Sequence, residues 1–409
     1  MRHTRYFFLA TSVLWACSGR SESSQLPLVW DSAGVTVSQN PAQPPAGFIW
    51  HLGEQANVIL GKTEGRGPEV FGSVTKAIGL ETGEVAVVDG IARQIRIFDA
   101  TGRHVASLGR EGEGPGEFAN LGEIYELAGD TIAAIDNLSA RVSLFGPDRH
   151  FARSFALPRP EHAAAPIGVG WLSEGLLVVR GLTMPPSRDP RQSSTILLYT
   201  VDLEGHLSEM IGEFPHQRLG GNGLPLGFGG GCVTAVGDSL IWVGHTGTFE
   251  LRAFDSGGSL RRIVRVPQVP RPVTTKDVSE AKASAEESLI RQGATQGVIR
   301  RIMATEFAET HPVFGRMWAD EVGYLWVAQD GAIPSERSDV GTVSEVWDVF
   351  DRDGRLLGTI GIPGGFRVTW IGDTQVIGVH TDEFGVDRVR VYRLDRALKL
   401  PPRTGGKSP

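Results

Sequence analysis

A self-match constrains this chain more than any single motif. At a displacement of 47 residues (112 − 65), Gly65-Arg66-Gly67-Pro68-Glu69-Val70-Phe71 falls on Gly112-Glu113-Gly114-Pro115-Gly116-Glu117-Phe118. The same shift carries Val88-Asp89 onto Ile135-Asp136, and Ile95-Arg96-Ile97-Phe98 onto Val142-Ser143-Leu144-Phe145. Within the unit, alternating apolar residues predict four strands, at about 74–80, 84–88, 94–98 and 104–108, joined by "TG", "DGIAR" and "ATG" turns. Such a unit is an antiparallel meander that buries its faces only against its neighbours. Four-stranded units of about 40 to 50 residues mark β-propeller blades.

A second signature counts the blades. An apolar residue, Phe, Asp, two variable residues and Gly at 97–102 returns, with variation, at Val201-Asp202-Leu203-Glu204-Gly205, Phe254-Asp255-Ser256-Gly257-Gly258 and Phe350-Asp351-Arg352-Asp353-Gly354. A weaker copy, Leu394-Asp395, ends the series, giving six units between Ala56 and Asp395. The predicted fold is therefore all-β, a six-bladed β-propeller. Its 53 glycines and 24 prolines, with short Val, Ile, Leu and Trp runs between them, suit abundant turns and short strands. The last unit offers three strands, at 366–371, 375–379 and 388–393. "NVILG" at 57–61 precedes the first glycine loop as "VASLG" at 105–109 precedes the second. The N-terminal strand is thus expected to complete the last blade and remove an open edge.

The segments "LGREGEGPGEF", "IAAIDN" and "QIRIFDATGRH" resemble NHL-type repeats. The whole chain is similar to the exported six-bladed β-propeller lipoproteins of bacteria, and "WDSAGVTVSQN" at 30–40 resembles the opening segment of that group. The resemblance implies a propeller over 26–397, and a fold more than an activity. Some propellers of related repeat type are enzymes that hold zinc or calcium at the axis with His, Asp or Glu from several blades, giving lactonase or lyase chemistry.

The N-terminus has a different character. Arg2, His3 and Arg5 precede the apolar run "YFFLATSVLWA", which is too short to span a bilayer and reads as an export signal. It ends in Leu14-Trp15-Ala16-Cys17, which resembles the bacterial lipobox, with Trp15 bulkier than the pattern usually carries. Residues 1–17 are thus expected to form a lipoprotein-type signal ending at an acylated Cys17, followed by a flexible tether at 18–25. The alternative is an incidental cysteine in an ordinary secretory signal. With lipid on Cys17, the second cysteine, Cys232, has no partner, so the fold relies on its apolar core. Residues 398–409 read as a disordered tail. The expected location is the bacterial envelope, held by lipid at the outer membrane or on its periplasmic face.

In a propeller, blade-to-blade connections and second-to-third-strand corners share one face. The glycine loops at 61–71 and 109–118 are such connections. "LGKT" at 60–63 lacks the upstream glycine of a P-loop and is followed by no helix, and the spacing of "GEGPG" is not that of a dinucleotide fingerprint. The glutamates at 111, 113 and 117 lack the spacing of calcium loops. A connection at 274–309 is instead rich in Ala, Glu, Lys and Arg, with a box-like start at Asp277 and Glu280. Val278, Ala281, Ala285 and Leu289 recur at helical spacing, Gly293 breaks the run, and Val298, Ile302 and Phe307 begin another. Two helices are expected between blades four and five, as a lid over the channel mouth or a brace on the rim.

The second-to-third-strand corners offer a polar ring: Asp89, Asp136, Arg180, His245, Asp330 and His380. His245 follows from setting Phe254-Asp255 on Phe98-Asp99, a displacement of 156 (254 − 98). Converging at the axis, these residues would bind a ligand; alternatively they satisfy turn backbones. No GxSxG elbow and no HExxH motif occurs, and the histidines are scattered singly. The net charge of −7 offers no cationic footprint for nucleic acid. The expected function is a ligand-binding or interaction scaffold for a peptide, glycan or envelope protein, acting as a monomer with no cofactor. The alternative is a lyase or hydrolase using zinc or calcium held by His245, His380, Asp89 and Asp136.

Overall fold

A computed structural model describes residues 26–161, 163–184, 193–329 and 343–396. Four-stranded antiparallel sheets occupy 74–108, 121–156, 164–218, 232–265 and 314–363, and a sixth is built on 366–395. These are the blades of a six-bladed β-propeller. Six apolar clusters separate them, one for each pair of neighbours. Ile78, Ile95 and Ile97 meet Phe118, Ile124 and Phe145 between blades one and two. At the far side of the ring Ile377, Val379 and Val389 of blade six meet Val74, Val85 and Val87 of blade one. Each sheet therefore buries both faces, which is why strands such as Val85–Asp89 are buried at every position.

Ring closure follows the expected route. Val58–Leu60 pairs antiparallel with Asp387–Asp395, Leu60 opposite Val389 and Val58 opposite Val391. The segment ahead of it, read from sequence only as an opening segment, does more. Leu28–Ser32 and Val35–Gln39 form a hairpin whose second strand adds parallel to Leu260–Arg265 on the outer edge of blade four. Buried Asn40 then crosses to blade five, its Nδ2 donating to the Gly354 carbonyl at 2.9 Å and its Oδ1 accepting from the Leu356 amide at 2.7 Å. Trp50 wedges between blades five and six before the closing strand begins. The N-terminal segment thus straps three blades.

The Asp-x-x-Gly signature has a structural cause. In the turns at Asp99, Asp202, Asp255 and Asp351, the Asp amide donates to the carbonyl four residues on. The carboxylate accepts that residue's amide at 2.8 to 3.0 Å. The glycine between them sits in the left-handed region, with φ of 84, 88, 76 and 79°. The opening glycine loops are blade connectors, as expected. Gly109 has φ 76°, and a Cβ there would lie 2.3 Å from the Phe118 ring that plugs the start of blade two.

The insertion forms two helices, α1 (Thr275–Arg291) and α2 (Gln296–Met303). The capping box is set three residues earlier than the sequence suggests: Thr274 is the N-cap and Asp277 its reciprocal partner. Asp satisfies the third-position role there, so Glu280 is not needed. The flanking chain leans on the connection between blades three and four. Gly227 donates to the Glu306 carbonyl at 2.8 Å, and Phe228 stacks near Phe307 and His311. Among the described residues no helix is long and apolar enough to cross a membrane.

Candidate functional site: the axial cavity

The inner strands of all six blades, Val74–Gly79, Leu121–Leu127, Ala164–Trp171, Cys232–Gly237, Phe314–Ala319 and Phe366–Ile371, line one cavity of about 600 Å³. No residue of α1 or α2 lines it. Each inner strand starts at the connector face and runs to the opposite face, so position along the strand sets depth in the channel.

The middle tier is crossed by Lys76. Its ammonium pairs with Glu123 at 2.9 Å and lies over the rings of Tyr125 and Trp318, 5.6 and 5.2 Å from their centroids. Blade one thereby reaches blade five across the axis. Arg316 pairs with Glu345 at 2.6 Å, and Glu345 also accepts from the Trp347 indole at 2.9 Å. Arg367 donates to the carbonyls of Thr75 and Val74, at 3.0 and 2.7 Å, and feels the charges of Asp387, Arg316 and Glu123. Arg180 forms no ion pair or hydrogen bond with any described residue. Its charge nonetheless reaches its neighbours. The Tyr125 hydroxyl is pushed well up by burial, with Glu123 adding to the rise and Arg180 opposing it. His216 is lowered by burial, then by Arg180 and His245. Burial pushes the Cys232 thiol up to about 12, again against Arg180, so this free cysteine stays a neutral wall residue.

The lower tier is acidic and aromatic. Glu126 is pushed up to about 7 by burial, with the charges of Glu81, Glu321 and Asp130 adding to it, although the Glu81 amide donates to its Oε2 at 2.8 Å. Its Oε1 is buried without a partner. Glu321 is raised by burial and accepts from the Trp370 indole at 3.0 Å. Trp370 can lie there because blade one supplies Gly79, where a Cβ would stand 2.6 Å from its ring.

The residues expected from sequence are placed as follows. Asp89 is fully buried and accepts the amides of Gly72, Ile91 and Ala92, at 3.0 to 3.2 Å, with Arg96 3.1 Å away. Asp136 repeats this with the amides of Ala119, Asn120, Leu138 and Ser139. Burial opposes the Asp136 charge, but the amides of Ser139, Asn120 and Ala119 outweigh it and hold the carboxyl below its ordinary value. His245 directs Nε2 to the His216 carbonyl and accepts the Gly247 amide on Nδ1, both at 3.2 Å. His380 is 4% exposed, and burial, Arg390 and Arg388 lower its pKa. Asp330 lies outside the described residues. Of the five that are described, only Arg180 lines the cavity, from within its strand (Leu177–Thr183) opposite Ile167.

Among the described residues no three His, Cys, Asp or Glu side chains gather to hold an ion. The oxygens of Asp89 and Asp136 and both nitrogens of His245 are engaged where they stand. The wall residues Lys76, Glu123, Tyr125, Arg316 and Trp318 were missed by sequence reasoning. One signal was available. Lys76 and Glu123 occupy equivalent positions of the 47-residue register (123 − 76) and carry opposite charges.

No family model and no curated protein matches the chain. Among solved structures it is similar to a protein from Bacteroides fragilis described as exported, at 11% identity, covering 88% of this chain and 99% of that one, with a TM-score of 0.47. It is similar to a member of the DUF4221 family from Bacteroides vulgatus, at 12% identity over 85% and 99% of the chains, with a TM-score of 0.49. A gluconolactonase from Xanthomonas campestris matches at 14% identity over 91% and 96%, with a TM-score of 0.40.

Proposed function

We propose that this protein is a binding propeller that takes a small ligand into the axial cavity. The observation that carries the reading is the cavity itself: about 600 Å³, walled by every blade, with a charged or aromatic group contributed by each of them. That volume falls in the range of small-molecule sites, roughly 300 to 1,000 Å³. The corner carboxylates Asp89 and Asp136 and the His245 imidazole, by contrast, are engaged locally, whereas the buried His380 Nδ1 has no partner. Export and a lipid anchor at Cys17 belong to the same proposal and rest on the sequence of residues 1–17.

The test uses protein lacking residues 1–17, screened against soluble glycans and short peptides by calorimetry. Saturable binding is expected, and Thr234→Trp, which places an indole in the wall of blade four, abolishes it while the circular-dichroism melt stays cooperative. Binding that survives Thr234→Trp moves the site off the axis and defeats the reading. Stoichiometric zinc or calcium in the purified protein would turn the assignment to the metal-dependent lyase or hydrolase. For the anchor, Cys17→Ser is expected to leave the membrane fraction, and its retention there would contradict lipidation.

A further inference from the structure

Resting on the axial reading, we infer that the ligand is a carboxylate-bearing sugar whose acidic group docks on Arg180. Three of the four cations at the middle tier have their charge answered. Lys76 has Glu123, Arg316 has Glu345, and Arg367 faces Asp387 and two carbonyls. Arg180 alone has neither ion pair nor hydrogen bond among the described residues, yet it stands in the cavity wall. A guanidinium always carries its charge and presents a planar fork that fits a carboxylate through two parallel bonds. In a partly dewatered cavity such a group favours an anion over its neutral counterpart.

The remaining wall suits the body of a sugar. Tyr125 and Trp318 flank the channel at the level of Lys76, and Trp171 and Trp370 line it. Flat rings of this kind receive the C–H face of a pyranose. Glu126 and Glu321 stand deeper, and Glu126 keeps one buried oxygen without a partner, a hydrogen-bonding site for a hydroxyl. A peptide offers the carboxylate but not the ring of hydroxyls that this lower tier would engage.

The experiment compares digalacturonate with galactobiose, its neutral counterpart, by calorimetry on protein lacking residues 1–17. Digalacturonate is expected to bind at least tenfold tighter. Arg180→Gln is expected to remove that preference while leaving galactobiose affinity within about twofold, and Arg180→Lys to restore part of it. Preference that persists in Arg180→Gln overturns the assignment of the carboxylate to Arg180. Equal binding of the two sugars, or binding of neither, overturns the acidic-sugar class. Thr234→Trp separates these failures from that of the axial reading: if it leaves binding intact, the axis itself is wrong. An N-acetylated dipeptide acid serves as the third ligand, and its binding in place of both sugars also overturns the sugar assignment.

Discussion

Blades one and two can be laid on each other at both their corners and their axial edges, and the two regions behave in opposite ways. At the corner, Asp89 and Asp136 are the same residue, equally buried, accepting equivalent backbone amides. Even the left-handed residues that follow agree, Arg93 at φ 53° and Ala140 at φ 49°. At the axis, the same register sets Lys76 against Glu123, Ile78 against Tyr125, and Gly79 against Glu126. The repeated positions hold the blade together. The positions where the repeat fails face the cavity, where six different inner edges must make one asymmetric wall.

The comparison breaks most decisively at the corner. Asp136→Ala removes the acceptor of four backbone amides at a part-buried corner. Bonds to a charged acceptor are worth about 1.5 to 3 kcal/mol each, and neighbouring ones are not additive, so a loss of about 3 kcal/mol is expected in urea denaturation. Asp89→Ala should match it, since it also strands Arg96, which is 7% exposed. The pH sign follows from the depressed Asp136 pKa. Its stabilisation is complete above the unfolded value near 3.8 and is lost as pH falls through the lower folded value. The gap between wild type and Asp136→Ala should therefore narrow only in strong acid. A loss below about 1 kcal/mol at neutral pH would mean that the repeated carboxylate is not what holds the corner.

An axial substitution should do less to the fold. Lys76→Met removes one pair, with Glu123 one-third exposed and able to rehydrate. The expected cost is about 1 kcal/mol or less, and tryptophan fluorescence should shift as the cation leaves the Trp318 ring. A loss as large as that of Asp136→Ala would show that the axis is structural too, and the contrast between the regions would collapse.

The contrast also explains what the sequence disclosed. Gln94–Phe98, His104–Leu108 and the closing strand at Val58–Leu60 were legible because strand periodicity reports which faces meet neighbouring blades. The parallel docking of Val35–Gln39 on blade four left no trace, because an outer edge recognises backbone rather than side-chain pattern. Corner residues stood out because they repeat, and repetition pointed to turn chemistry rather than to a site. Arg180 was picked out as a corner but stands mid-strand, where the shifted register after Ala164 places it against Ile167. Linear spacing does not distinguish the strand edge that meets the axis, so the wall became visible only when the six blades closed.

The smallest expected effect is also the most specific to the axis. Glu126 is pushed up to about 7 by burial and by its acidic neighbours, so the fold favours its neutral form. Its contribution to stability is complete below the unfolded value near 4.5 and is lost as pH rises through about 7. Glu126→Gln should therefore match wild type near pH 4.5 and become more stable than it at pH 8, by less than about 1 kcal/mol because solvent screens a half-exposed group. Paired thermal melts at the two values measure this. The blade-one counterpart is Gly79, which has no charge to titrate, so the effect has no twin in the repeat. A Glu126→Gln protein that tracked wild type at both pH values would place Glu126 in ordinary solvent, and the lower tier would lose its claim to be a dewatered wall.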